Sequence, residues 1–200
     1  MSRVAIIPAR GGSRRIPGKN VRPFHGRPII EYSIETAARS GLFDAGIWVS
    51  TEDAEIARIA WAAGAKVHPR QKALAENDVG TQDVMAAVLK ELWPIDDLGR
   101  PATACCIYPC APLMLPGDLV AGWQRLVRSK DLGYVYSVDQ DGHDAGQWYW
   151  GLTSAFLNHV PLVGPHVWLE RIPKERVCDV NTFEDWERAH HLYATMKEKR

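Results

Sequence analysis

Between residues 3 and 138 short apolar runs alternate with segments of helical period, the pattern of βαβ units and a mostly parallel sheet. Residues 3–8 read as a buried first strand. Residues 27–40 read as a helix, with Pro28 in its first turn, Ile30, Ile34 and Ala37 on one face, and Gly41 as its stop. A second strand over 45–50 leads to Thr51, read as the cap of a helix over 52–63 that Gly64 ends. A third helix follows Thr81, a strand covers 103–108, a helix spans about 117–128, and a strand covers 133–138. Residues 94–101 read as a surface connection. The expected fold is α/β: a Rossmann-like open, mostly parallel sheet flanked by helices, in a single domain over 1–200. A chain that is 46% hydrophobic at this length has enough apolar mass for one core.

After Val138 the pattern changes. Residues 139–143 form a short polar turn and lead into the aromatic run Gln147-Trp148-Tyr149-Trp150, so this half is expected to be mixed rather than purely parallel. Thr182 with Asp185 three residues on matches a capping box and opens a C-terminal helix carrying Phe183, Trp186, Ala189, His190 and Tyr193.

Lysine plus arginine equals aspartate plus glutamate at 24 each, which removes the bias of a general nucleic-acid binder. The charge is unevenly placed. Arg3, Arg10, Arg14, Arg15, Lys19, Arg22 and Arg27 precede the first acid, Glu31, so the first thirty residues are locally cationic and an anionic partner is expected. Cys105, Cys106, Cys110 and Cys178 form no CxxC pair and are read as buried structural thiols rather than metal ligands. With no signal-peptide pattern and no apolar run near the roughly 20 residues a bilayer crossing needs, a cytoplasmic protein without a membrane role is expected.

Directly after the first strand stands Arg10-Gly11-Gly12-Ser13-Arg14-Arg15. In open α/β sheets ligands bind beyond the carboxyl ends of strands, so a loop of glycines and arginines there is placed for a phosphate group. It lacks the GK[ST] of a Walker loop and the GxGxxG of a dinucleotide fold. By itself it reads equally as a turn with solvated arginines.

The whole segment, Ile7-Pro8-Ala9-Arg10-Gly11-Gly12-Ser13-Arg14-Arg15-Ile16-Pro17-Gly18-Lys19-Asn20, resembles the sugar-nucleotide cytidylyltransferase signature IPARxGSKxIPxKN. Similar segments recur at Ser50-Thr51-Glu52-Asp53, at Cys105 to Leu113, at Asp144 to Gly151 and at Asp179 to Trp186. The resemblance is to the CMP-sialic acid synthetase (acylneuraminate cytidylyltransferase) family, and the Cys105 and Asp144 segments look most like its pseudaminic acid branch. It implies a fold of the nucleotide-diphospho-sugar transferase type and transfer of CMP from CTP to a 2-keto sugar acid with release of pyrophosphate. Legionaminic, sialic and KDO-type sugars are the alternatives, as is a nucleotide-binding relative that has lost catalysis.

The resemblance further implies a CTP site of Arg10, Gly11, Gly12, Ser13, Arg15, Lys19, Asn20, Arg70 and Gly80, with Lys19, Arg10 and Asp179 catalytic. Arg10 and the loop amides would hold phosphates, Arg15 the outer phosphates and Lys19 the reacting one, while Asn20 would meet the ribose or fix the loop. Arg70 would lie near cytosine, with a solvated loop arginine as the other reading. Magnesium (Mg2+) is the implied cofactor, with Asp179 and Asn181 as its ligands; relatives of the sialic acid type carry Asp-x-Asp there. Asn181 and Thr182 also read as a helix cap. Sugar contacts are expected from Tyr108, Asp144, Gln147 and Tyr149, against the reading that this aromatic run is mostly core.

Three departures stand out. Family members usually carry a longer insertion where only 139–143 stands here, leaving a reduced appendage near 139–165 and a weakened homodimer. Cys110 replaces a common threonine. Gln71, Glu76 and Asn77 depart from the pattern around Arg70.

Overall fold

The computed structural model describes residues 1–76, 79–94 and 99–198; Asn77 and part of the 94–101 connection lie outside them. Nine strands and six α-helices are described. They are β1 (Arg3–Pro8), β2 (Pro23–Phe24), β3 (Arg27–Pro28), α1 (Ile29–Arg39), β4 (Ile47–Thr51), α2 (Ala54–Ala62), β5 (Lys66–Pro69) and α3 (Thr81–Leu92). There follow β6 (Thr103–Ile107), α4 (Pro116–Arg128), β7 (Tyr134–Val138), β8 (Asp144–Leu152), α5 (Thr153–Leu157), β9 (Val167–Arg171) and α6 (Phe183–Glu198).

Seven strands form one sheet in the order β5-β4-β1-β6-β8-β7-β9. Only β8 runs against its neighbours β6 and β7. The mostly parallel sheet is as expected, and the reversal falls where the pattern changed after Val138.

Central strands are buried on both faces, which is why they read as continuous apolar runs. Along β1, Ala5 and Ile7 join one cluster with α1, α2 and α4, while Val4 and Ile6 join another with α3 and α5. The same alternation divides Cys105 and Ile107 from Ala104 and Cys106 on β6, and Trp148 and Trp150 from Tyr149 on β8. A third cluster lies at one end of the sheet, where Trp186, Ala189 and Tyr193 of α6 pack with Ile16, Phe24, Tyr32 and Val180. It carries the site-forming segments together.

Several boundaries differ from expectation. Arg27 and Pro28 pair with Phe24 and Pro23 as a two-stranded ribbon, so α1 starts one residue after Pro28. Thr51 stays in β4, and Asp53 caps α2 instead, its Oδ1 accepting from the amides of Glu55 and Ile56 at 2.9 Å each. A short aspartate reaches back over the first turn with the geometry an N-cap needs. Thr182 does cap α6, accepting from the Asp185 amide at 3.2 Å while Asp185 accepts from the Thr182 amide at 2.8 Å.

Candidate active site

The chain runs β1, β4, β5 toward one edge and then returns to place β6 on the other side of β1. The carboxyl ends of β1 and β6 therefore border the crevice where open α/β sheets bind ligands. Two cavities open there. One of about 460 Å³ is lined by Arg10, Ser13, Arg14, Arg15, Lys19, Asn181 and the prolines Pro8 and Pro109. The other, about 280 Å³, is lined by Arg70, Leu74, Glu76, Val79, Thr81 and Tyr108. Pro8 and Arg10 line both, so the compartments adjoin at the end of β1.

Four cationic side chains and no carboxylate line the larger compartment. Such a cleft favours a multiply charged anion and holds donors ready where charge develops.

The loop that supplies those cations is tied from below. The Gly11 amide donates to Glu52 Oε1 at 2.7 Å, and a Cβ on Gly11 would lie 2.5 Å from Asp53 Oδ2, so this close approach requires glycine. Asn20 is buried, donates to the Arg10 carbonyl at 2.9 Å and accepts from the Cys110 thiol at 3.2 Å. Asn20 thereby ties the loop to the Cys110 segment, and it also lines the larger compartment. The Ser13 amide donates to the Gly11 carbonyl at 2.9 Å. The Gly11 and Ser13 amides are thus engaged within the protein, while the side chains of Arg10, Ser13, Arg14, Arg15 and Lys19 line the larger compartment. Gly12 has open space where a Cβ would stand.

The facing wall comes from the other end of the chain. Lys19 Nζ donates to the Val180 carbonyl at 2.5 Å, Arg15 Nη2 donates to Asn181 Oδ1 at 2.8 Å, and Asn181 Nδ2 donates to Asp179 Oδ2 at 2.5 Å. Ile16 and Val180 share the third apolar cluster, whose burial brings these distant segments together. Asn181 gives its oxygen to Arg15 and its amide N–H to Asp179, so Asp179 alone of the two presents a carboxylate. Burial pushes the Asp179 carboxyl above its ordinary value, and the nearby Asp144 charge adds to this, while Asn181 and Lys19 pull the other way. Gly146 has φ +63°, and a Cβ there would stand 2.8 Å from Asp179 Cγ.

Arg70 is buried rather than solvated: Nε donates to Ser50 Oγ at 3.1 Å and Nη2 to the Ser50 carbonyl at 2.7 Å. Burial lowers its pKa, and the Glu52 charge opposes that shift. Gly80 begins α3, its amide donating to Asp83 Oδ2 at 3.2 Å and its carbonyl accepting from the Val84 amide at 3.2 Å.

The residues read as sugar contacts divide. Tyr108 lines the smaller compartment, its hydroxyl lies 3.2 Å from Thr81 Oγ1, and burial pushes its phenol up to about 12. Asp144 is exposed and accepts hydrogen bonds from the Gly146 amide at 2.9 Å and from the Tyr149 hydroxyl. Gln147 and Tyr149 are buried and line neither compartment. Gln147 donates to the Arg176 carbonyl at 2.5 Å, and Tyr149 stacks on Tyr136. Trp148 and Trp150 are fully buried, so the aromatic run is largely core. All four cysteines are free and buried. The tie from Glu52 to Gly11 and the close packing of Gly146 on Asp179 were not foreseen. A glycine near the start of a strand, in Asp144-Ala145-Gly146-Gln147, was the available hint for the second.

A family model described as Cytidylyltransferase matches residues 4–140. The chain belongs to this cytidylyltransferase family. Within it, pseudaminic acid cytidylyltransferase of Campylobacter jejuni is 31% identical, the match covering 96% of this chain and 97% of the relative. That alignment runs to 227 positions against a chain of 200 residues, so the relative carries stretches this cytidylyltransferase lacks. Among solved structures, a CMP:2-keto-3-deoxy-manno-octonic acid synthetase in complex with CTP superposes with a TM-score of 0.73 at 16% identity, covering 98% of this chain and 100% of that one. Rv0371c of Mycobacterium tuberculosis in complex with manganese gives 0.66 at 15% identity, covering 96% and 99%. These two likenesses concern the fold. Among the described residues no helix is long and apolar enough to cross a membrane.

Proposed function

We propose that this cytidylyltransferase transfers CMP from CTP to a nonulosonic sugar acid, pseudaminic acid in the first instance, releasing pyrophosphate. The observation that carries the reading is the clamp across the larger compartment, where Arg10, Arg14, Arg15 and Lys19 converge opposite the Asp179–Asn181 segment. The triphosphate occupies that compartment, and the base enters the smaller one beside Arg70. The branch assignment is supported by the match to the Campylobacter jejuni enzyme over nearly the full length of both chains.

The sugar's anomeric hydroxyl oxygen forms a bond to the α-phosphorus as the bond from that phosphorus to its bridging oxygen breaks. Pyrophosphate leaves with the electron pair, and the hydroxyl proton passes to solvent water. Arg10, Arg15 and Lys19 hold the phosphates in line and offset the charge on the leaving group. Asp179 fits a divalent cation: its solvent-exposed carboxylate is partly desolvated and faces the Asp144 charge, which disfavours it as a lone anion, and magnesium in phosphate sites needs only one or two carboxylates beside phosphate oxygens. Magnesium bound there would polarise phosphate oxygens, with Asn181 orienting the Asp179 carboxylate.

A panel of pseudaminic, legionaminic, sialic and KDO-type acids, each with CTP and magnesium and assayed for pyrophosphate, tests the reading. Fastest release with pseudaminic acid is the expected result. Preference for another acid would overturn the sugar assignment, and no release with any of them would overturn the enzymatic one.

A further inference from the structure

The parallel register of β4 and β5 sets Ser50 beside His68, and from that pair a line of hydrogen bonds runs away from the cleft. Ser50 Oγ lies 3.1 Å from His68 Nδ1, and His68 Nε2 lies 2.8 Å from Glu91 Oε2 on α3. Gln71 Nε2 donates to the other Glu91 oxygen at 3.0 Å. On the cleft side the same Ser50 hydroxyl accepts from Arg70 Nε. Ser50 is fully buried and His68 is 3% exposed, so the Arg70–Ser50–His68 contacts face little competition from water, while Gln71 and Glu91 meet at the surface.

Directions along the line follow from donor chemistry. A guanidinium has no acceptor, so Ser50 Oγ must accept from Arg70. With a neutral imidazole, the Ser50 proton points to His68 Nδ1 and the ring proton sits on Nε2, facing the Glu91 carboxylate. Each donor has one acceptor. Arg70 is thereby held by Nε and Nη2 to a single residue that is itself oriented from behind, and Nη1 is the nitrogen left to meet a ligand in the smaller compartment.

We infer that His68 and Glu91 are positioning residues that act on the nucleotide through Ser50 and Arg70. The inference rests on the reading of the smaller compartment as the base site. Without His68 the Ser50 hydroxyl is free to rotate, and the guanidinium loses its fixed plane although its charge remains. The consequence falls on nucleotide binding rather than on the transfer step, because the reacting phosphate is held by Lys19 and its neighbours in the other compartment.

The test is a double-mutant cycle read by calorimetric titration of CTP. His68→Leu is expected to weaken CTP binding about tenfold in the wild-type background, the scale of one hydrogen bond to a charged group, and by less than about twofold in an Arg70→Ala background. His68→Asn keeps a polar atom near Nδ1 and is expected to recover most of the loss. In turnover the KM for CTP rises while kcat stays within about twofold. Should His68→Leu fail to fold, Glu91→Gln gives the same cycle with a loss of about threefold. Equal losses in both backgrounds, or tight CTP binding indifferent to both positions, would overturn the positioning role alone. Absence of CTP binding by the wild-type chain would instead overturn the base-site reading, and the inference with it.

Discussion

The Lys19 ammonium donates a 2.5 Å hydrogen bond to the carbonyl of Val180, 161 residues away, and so joins the end of the phosphate loop to the segment that carries Asp179. One side chain therefore does two things: it places a positive charge in the larger compartment and closes that compartment against its far wall. Lys19→Ala is expected to lower kcat by about 10²–10³-fold, the scale for removing one preorganised charge-stabilising donor. Circular dichroism should stay near wild type, with the unfolding midpoint lowered by the loss of one hydrogen bond from a charged donor. Wild-type turnover in the variant would remove Lys19 from the reaction.

Asp179→Asn should separate stability from activity. A carboxyl whose folded pKa is raised contributes stability that is fully present below its ordinary pKa and is lost as pH rises through the raised one. At neutral pH the metal-free wild type therefore carries an unfavourable charge that the amide lacks, a small effect because Asp179 is solvent-exposed and its charge is screened. The variant is expected to melt at or above the wild-type temperature without metal, to lose that advantage on acidification through the carboxylate range, and to be inactive. A variant that is less stable at neutral pH and equally active would contradict both roles.

Gly146→Ala tests how closely the strand start is packed on Asp179. The added methyl meets Asp179 Cγ at 2.8 Å in a left-handed backbone, so either the strand or the carboxylate must shift. A destabilisation of about 1–3 kcal/mol in urea unfolding is expected, with weaker dependence of turnover on added magnesium through a displaced Asp179. Unchanged stability together with an unchanged magnesium titration would show the contact to be slack.

The thiols should be silent in the native chain. Burial pushes Cys110 up to about 12, only partly offset by Lys19, and raises Cys105, Cys106 and Cys178 as well. A raised thiol pKa means that the reactive thiolate stays scarce as pH increases through the usual cysteine range. A disulfide-exchange reagent at about pH 8 is expected to label none of the four before denaturant and all four after it. Rapid native labelling would contradict their burial.

The parts of the fold that were legible in the sequence are those buried on both sides. β1 and β6 are central strands whose every neighbour is protein, so they appear as unbroken apolar runs, and the amphipathic faces of α1 and α4 follow from them. Lys66–Pro69 and Val167–Arg171 lie at the two sheet edges, where half the residues meet water, and their lysine, proline, glutamate and arginine hide the strand pattern. The same distinction holds in the site. Arg10 to Asn20 are contiguous and follow a strand, so a cationic loop at the end of β1 could be read from the sequence, while its grouping as a nucleotide site came from the family resemblance. The contacts of Lys19 with Val180 and of Arg15 with Asn181 depend on how α6 packs over Phe24 and Ile16, which no local pattern reports. Tyr149 looked like a ligand contact because a polar face near aromatics suits a hydroxylated ligand; in the fold it is buried on a strand between β6 and β7.

The central claim is that the two adjoining compartments hold one nucleotide. A crystal structure of the chain with CTP and magnesium measures this directly. The triphosphate is predicted beside Arg15 and Lys19 in the larger compartment, the cytosine beside Arg70 and Tyr108 in the smaller, and the metal on Asp179. CTP bound away from the β1–β6 crevice, or with its base among Arg14, Arg15 and Lys19, would contradict the account.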